Sequence, residues 1–189
     1  MKFEGTGDKP VLQTARTSLR PFGADDAAFI VALVNDPDWL RFIGDRKVTD
    51  EAGARAWIES RLLVAYRTQG FGLWAMQRRC DGELLGMCGL VRRDGLPEID
   101  LGYALLPRHR GHGYVREAGA ACLAYAAEVL GKRRVLAITD PANERSIRVL
   151  ASLGMVRVDT VVYESEGRRS AVFAWQAPAG AVTSAARRP

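Results

Sequence analysis

Residues 108–118 read Arg-His-Arg-Gly-His-Gly-Tyr-Val-Arg-Glu-Ala, a glycine-bearing cationic stretch at the point where an alternating segment gives way to a helical one. The first amides of a helix have no partner inside it, and the helix dipole favours negative charge there. Gly111 and Gly113 allow close approach of backbone to a ligand or a positive φ. Arg108 and Arg110 add charge, as do His109 and His112 if protonated. Three uses fit this chemistry: a phosphate-bearing ligand, a metal held by the two histidines, or a tight turn with a solvated rim. His109 and His112 have no third or fourth ligand nearby, so no metal is expected. A Walker loop would require GxxxxGK[ST], and the lysine and the Ser/Thr are missing. A Rossmann fingerprint would require GxGxxG, but Arg116 stands where the third glycine belongs.

The elements that must position this loop can be read on either side of it. EIDLGYALL alternates as a strand, GYVREAGAACLAYAAEVL is an alanine-rich helix stopped by Gly131, and RRVLAITD is another strand. Such a βαβ unit is parallel and right-handed. ANERSIRVLASLG follows as a helix ending at Gly154. Upstream, TSLRPF is a short strand and GADDAAFIVALVND a helix with Asp25 and Asp26 in its first turn, broken at Pro37. TDEAGARAWIESRLLVAYRTQG is a longer helix with Thr49 as N-cap and Gly70 as its stop. FGLWAMQRR and ELLGMCGLVRR form a hairpin around Cys80-Asp81-Gly82. MVRVDTVVYE and RRSAVFAWQ close the chain as two strands around Ser165-Glu166-Gly167. The expected fold class is therefore α/β (mixed α+β): a mixed, mostly antiparallel sheet with one parallel pair and about four helices. Residues 15–176 form one domain, with flexible segments expected at 1–14 and 177–189.

Composition excludes several classes. Hydrophobic residues make up 48% and charged residues 26%, ordinary for a globular domain. No apolar run reaches the length of a membrane span and the N-terminus has no apolar core, so neither a membrane nor a secretory role is expected. Cys80, Cys88 and Cys122 are odd in number and lack CxxC spacing. They are expected as buried small hydrophobes in a cytoplasmic protein. The net charge of +5 comes from scattered arginines such as Arg16, Arg20, Arg41, Arg92 and Arg93, without a basic helix or an aromatic-and-basic strand. Nucleic-acid binding is not expected.

The segment from Glu98 to Met155 resembles the acetyl-CoA-binding core of the GNAT superfamily of N-acetyltransferases, and is similar to its RimJ/RimL branch, whose members include enzymes that acetylate protein N-termini. Arg108, Gly111 and Gly113 fill the superfamily loop [QR]-x-x-G-x-[GA]. Asp140, Pro141, Asn143, Ser146, Leu153 and Gly154 fill the branch pattern D-P-x-N-x-x-S with its later Leu-Gly pair. LRPF at Leu19–Phe22 and NDPDWLRFIG at Asn35–Gly44 extend the likeness, which covers roughly residues 17–176.

The resemblance implies a fold in which the parallel strand pair splays, with a bulge in the strand before the loop. Loop residues His109, Arg110, Gly111, His112, Gly113, Tyr114 and Val115, with Arg108, would hold the diphosphate of acetyl-CoA. Exposed backbone at Ala104, Leu105 and Leu106 would pair with the pantetheine arm, and Asn143 would bond to it. Asn143 also suits a helix N-cap. An amine attacking the acetyl thioester must lose a proton, the oxyanion must be stabilised and the thiolate must leave. Glu98 and Asp100 lie two apart and would share one face of a regular strand, so either could remove the proton. A backbone amide near Leu105 would serve the oxyanion. Many superfamily members place a tyrosine seven residues after the asparagine as general acid. Here that residue is Leu150, and Ser146 is the substitute. Tyr103 and Tyr114 read as packing. Trp39, Phe42, Trp57 and Trp74 read as core and acceptor-pocket wall. The acceptor would be a protein N-terminus or a small-molecule amine, selected by residues 35–67. The alternative is a non-catalytic CoA-binding sensor or scaffold. Free edge strands leave a homodimer open.

Overall fold

In the computed structural model, residues 10–158, 163–165 and 167–178 are described. The first strand, β1 (Leu12–Gln13), pairs antiparallel with β2 (Thr17–Arg20). The chain therefore joins the sheet earlier than the expected leader boundary allows. Residues 1–9 and 179–189, most of the expected leader and tail, lie outside the described residues.

After β2, Arg20 grips the buried carboxylate of Asp26 through two hydrogen bonds of 2.7 and 2.8 Å. This pins a 3-10 turn at the head of α1 (Ala27–Val34). Pro37 does not end the helical region. It opens a second helix, α2 (Pro37–Phe42), because the first helical position has no use for an amide proton. Asp36 caps it, accepting from the amides of Asp38 and Trp39. The next cap is Asp50 rather than Thr49, with Oδ1 accepting from Gly53 N at 2.7 Å. From there α3 (Glu51–Trp57) runs through a π-helical segment (Ile58–Leu63) into α4 (Val64–Gln69), which stops at left-handed Gly70. The buried residues Ala54, Ile58, Leu62 and Tyr66 recur every four positions. That spacing would drift around a regular 3.6-residue helix, and the wider π turn holds it on one face. The described residues thus contain five helical rods, one more than expected, with the extra one at Pro37.

The sheet order is β1-β2-β3-β4-β5-β6-β9-β7, with β8 beside β9. β3 (Leu73–Arg78), β4 (Leu84–Val91) and β5 (Asp100–Leu105) form an antiparallel meander, and β3 and β4 turn at left-handed Gly82. α5 (Tyr114–Glu128) crosses over to β6 (Arg134–Thr139), which lies parallel to β5. α6 (Glu144–Ser152), β7 (Val156–Arg157), β8 (Tyr163–Ser165) and β9 (Arg168–Gln176) complete the chain. Residues 159–162 and Glu166, expected from the sequence in the two closing strands and their turn, lie outside the described residues.

α5 buries Val115, Ala118, Cys122 and Ala126 against the sheet. Trp74 meets Tyr125 edge-on at 5.6 Å between ring centroids, a geometry worth about 1 kcal/mol beyond area burial. Gly119 gives α6 its seat, since a Cβ there would stand 3.0 Å from Leu153. Cys88 and Cys122 are buried with their sulfurs 3.8 Å apart, whereas Cys80 is exposed, contrary to the expectation for all three. Among the described residues, no helix is long and apolar enough to cross a membrane, and no three His, Cys, Asp or Glu side chains group as metal ligands.

Candidate active site

The parallel pair that frames the loop barely touches. β5 and β6 share one register pair, Asp100 with Leu136, and then separate. On its other edge β5 stays bonded to β4 from Asp100 to Leu105 in unbroken register. The bulge expected in β5 is absent there. It falls in β4 instead, where Met76 faces Gly86 and Gln77 faces Leu84, leaving Leu85 extra. A bulge is therefore not what frees the β5 backbone; the divergence from β6 does so. Leu106 N donates to Leu85 O, so alternate residues of β5 send their backbone groups toward β4. Those of Tyr103 and Leu105 face the gap. Arg110 Nε, 3.0 Å away, already takes the Leu105 carbonyl. Of the three residues expected to offer backbone, Leu105 points the right way, whereas Ala104 and Leu106 face β4.

The gap leads to the glycine loop. Gly111 and Gly113 have φ of +82° and +78°, which β-carbon-bearing residues rarely adopt. Gly113 caps α5 and has no side chain to satisfy the amides of Tyr114, Val115 and Arg116. Val115 packs its side chain inward, and Tyr114 is half-buried. The loop thus presents backbone amides that no side chain caps, a geometry suited to an anion.

Its charged side chains are used differently from expectation. Arg108 lies 3.2 Å from Glu83. His109 is buried, with Nε2 3.3 Å from the same carboxylate, and burial holds its pKa below the usual histidine value despite that neighbour. It is a packed ring. Arg110 pairs with Asp36 and Asp38, tying α2 to the loop. Asp38 also meets Arg145 of α6 at 3.4 Å. His112 is exposed and stacks near Tyr114, with ring centroids 6.0 Å apart. The cation beside the loop amides is one that sequence reasoning left among scattered arginines. Arg16 Nη1 donates to His112 O at 3.0 Å, its guanidinium lies over the Tyr114 ring, and Glu117 orients it at 2.7 Å. Arg16 stands on the β1–β2 turn, so no local spacing could link it to the loop.

At the far wall of the gap, Asn143 caps α6, with Oδ1 accepting from Ser146 N at 3.1 Å. The Ser146 hydroxyl is 2.8 Å from the Tyr103 hydroxyl. Leu150 is buried. The structure thus brings Tyr103, Ser146 and Asn143 together, and ties Leu105 to the loop through Arg110.

The two carboxylates go elsewhere. β5 begins at Asp100, so Glu98 lies before the strand, 3.6 Å from Arg134, and the expected shared face does not form. Asp100 is fully buried and accepts from Arg93 Nε at 3.0 and 3.1 Å. Burial raises its pKa, and Arg93 opposes part of that rise. Trp39 and Trp74 are core residues rather than pocket wall.

The family model described as Acetyltransferase (GNAT) domain matches residues 16–156. This chain belongs to the GNAT acetyltransferase family. The protein is 34% identical over 152 residues to the uncharacterized protein YkkB of Bacillus subtilis, covering 78% of this chain and 86% of that one. It is 28% identical over 163 residues to the FsC-acetyl coenzyme A-N(2)-transacetylase of Aspergillus fumigatus, covering 80% and 67%. The crystal structure of the ribosomal-protein-S5-alanine acetyltransferase from Vibrio fischeri superposes with a TM-score of 0.71 at 16% identity, covering 87% of this chain and 95% of that one, a likeness of fold. The GNAT fold expected from the sequence is thus present, and the chain is an N-acetyltransferase. Acetyl-CoA fits the site physically. An uncapped helix start suits its diphosphate, and a strand edge freed by divergence suits its amide-bearing arm.

Proposed function

We propose that this protein acetylates a primary amine that is either a protein α-amino group or a small-molecule amine, in the manner of the RimJ/RimL branch. The observation that carries the reading is the divergence of β5 from β6 after a single pair, next to a helix start with no side-chain cap. When bound, acetyl-CoA supplies an activated acetyl group. The amides at the start of α5, with Arg16, hold the diphosphate. The gap-facing backbone of Tyr103 and Leu105 aligns the arm, and the Leu105 N–H serves the carbonyl oxygen as charge develops on it. Asn143 Oδ1 is committed to its cap, so its Nδ2 is the group left to donate. Ser146 meets the leaving sulfur. Asp100 acts as the anchor of Arg93 rather than as a base reached directly by the amine, and Glu98 lies in a looser ion pair with Arg134. A cytoplasmic location accords with three thiols in no disulfide framework.

Thiol release from acetyl-CoA, measured against N-terminal peptides, polyamines and aminoglycosides, tests the reading. Turnover with one class and acetylated product by mass spectrometry is expected. Tight acetyl-CoA binding without turnover on any class would instead mark a sensor or scaffold.

A further inference from the structure

Tyr103 lies in the part of β5 that has separated from β6, and it reaches across to the first turn of α6. Its hydroxyl is 2.8 Å from Ser146 Oγ and 3.2 Å from the Ser146 carbonyl oxygen. The sequence gives no reason to single it out, because a tyrosine in an alternating strand reads as packing. A phenol has one proton to give, and a serine hydroxyl rotates freely unless something fixes it. Burial pushes the Tyr103 pKa far up, so the phenol keeps its proton and remains a donor at any working pH. Among the described residues, Tyr103 is the one hydrogen-bond partner of Ser146 Oγ. The Ser146 carbonyl can only accept, so the one phenol proton has two acceptors, Oγ at 2.8 Å and the carbonyl at 3.2 Å; when the nearer Oγ takes it, the Ser146 proton is left over and must point away from the phenol. Leu150, one turn further along α6, has no proton to offer.

We propose that Tyr103 is a positioning residue for acetyl transfer: its hydroxyl donates to Ser146 Oγ and so directs the Ser146 proton into the gap, toward the departing sulfur. The inference rests on the acetyl-CoA reading of the site. In the reaction the amine nitrogen attacks the acetyl carbon, a C–N bond forms and the C–S bond breaks. The C–S electron pair goes to sulfur, and the extra amine proton passes to solvent. The Ser146 hydroxyl stabilises the negative sulfur by hydrogen bonding and keeps its proton. A thiol pKa near ~8.5 lies well below that of serine, so full transfer from Ser146 is unnecessary. A buried phenolate at Tyr103 is never required.

The test compares wild type, Tyr103→Phe, Ser146→Ala and the double variant, first confirming by thermal melting that each is folded. With acetyl-CoA and an accepted amine, each single variant is expected to lose about tenfold in kcat, with KM for acetyl-CoA changed by no more than about twofold. The double variant should be no slower than Ser146→Ala, because Tyr103 acts through Ser146. An acetyl thioester of a more acidic aromatic thiol should narrow the gap between wild type and Tyr103→Phe, since a better leaving group needs less help. A purely structural tie would not produce that narrowing. Wild-type kcat in Tyr103→Phe, or additive losses in the double variant, would overturn the proposal. If Tyr103→Phe melts below the assay temperature, an undiminished kcat in Ser146→Ala overturns it alone. A wild type that binds acetyl-CoA but transfers to no amine removes the acetyl-transfer reading and this inference together, an outcome distinct from an active wild type with indifferent variants.

Discussion

Asp100 and Glu117 show how one chemical group, a carboxylate, is shifted in opposite directions by two environments. Asp100 is buried and its pKa is raised by that burial, with Arg93 pulling the other way. Its charge is tolerated because Arg93 is bonded to both oxygens. Asp100→Asn keeps the shape but leaves Arg93 facing a neutral amide. With the Arg93 side chain 30% exposed, the expected cost is about 1–3 kcal/mol in urea unfolding, below that of a fully buried pair. If the same variant also leaves the pH–rate profile unaltered, Asp100 is an anchor and not a base. At Glu117, burial raises the pKa, but hydrogen bonds from Thr14, from the Arg16 amide and from the Arg16 guanidinium outweigh it, and the net shift is downward. That stability is present above the usual glutamate value near 4.5 and is lost as pH falls through the lowered folded value. Melting temperatures of Glu117→Gln between about pH 3 and 6 should show a flatter acid limb than wild type.

At the scale of elements, the start of α5 is the part most exposed to substitution. A Cβ at Gly111 meets nothing within 4 Å, and at Gly113 the nearest atom is an Arg16 nitrogen at 3.5 Å. The constraint is positive φ rather than crowding. Gly111→Val or Gly113→Val should distort the turn that aims the amides and weaken CoA binding by tenfold or so, measured by calorimetry, while far-UV circular dichroism stays native. Asn143→Ala removes the cap of α6 and should cost about 1 kcal/mol of stability while also loosening CoA binding. A loss of stability alone would confine Asn143 to its cap. The helical region 24–69 teaches a different lesson. Two aspartates, Asp36 and Asp50, do the capping, and Asp36 serves twice by also meeting Arg110. The segment that should select the acceptor is thereby tied to the loop that binds the donor.

Across the whole molecule, ion pairs hold many of the arginines in place, although pairing leaves the net charge of +5 unchanged. Arg16, Arg78, Arg93, Arg108, Arg110 and Arg145 each face a carboxylate from another part of the chain or a nearby turn. The gap proposed for the ligand is a place where the sheet is incomplete, and filling it should stabilise the fold. Acetyl-CoA at about 100 times its Kd adds about 2.7 kcal/mol by mass action. For a chain of this size that corresponds to a rise in Tm of about 5–10 °C. A thermal scan should show this rise in wild type and a smaller one in Gly113→Val, whereas equal shifts would place the ligand away from the loop.

Sequence alone determined the features that are local. Most of the order of strands and helices, apart from β1 and α2, the glycine loop at a helix start, the Asn-x-x-Ser turn of α6 and the family follow from spacing along the chain, because turns, caps and alternation act over a few residues. Tertiary structure decided what depends on residues far apart in sequence. It placed Arg16 rather than Arg108 or Arg110 beside the loop amides, because ion pairing is settled by which carboxylate folds nearest. It buried His109 and Asp100, opened the gap by strand divergence rather than by a bulge, and set Tyr103 against Ser146 across 43 residues of chain. Spacing along the chain reports which chemistry is available; only packing decides which polar groups are left free to perform it.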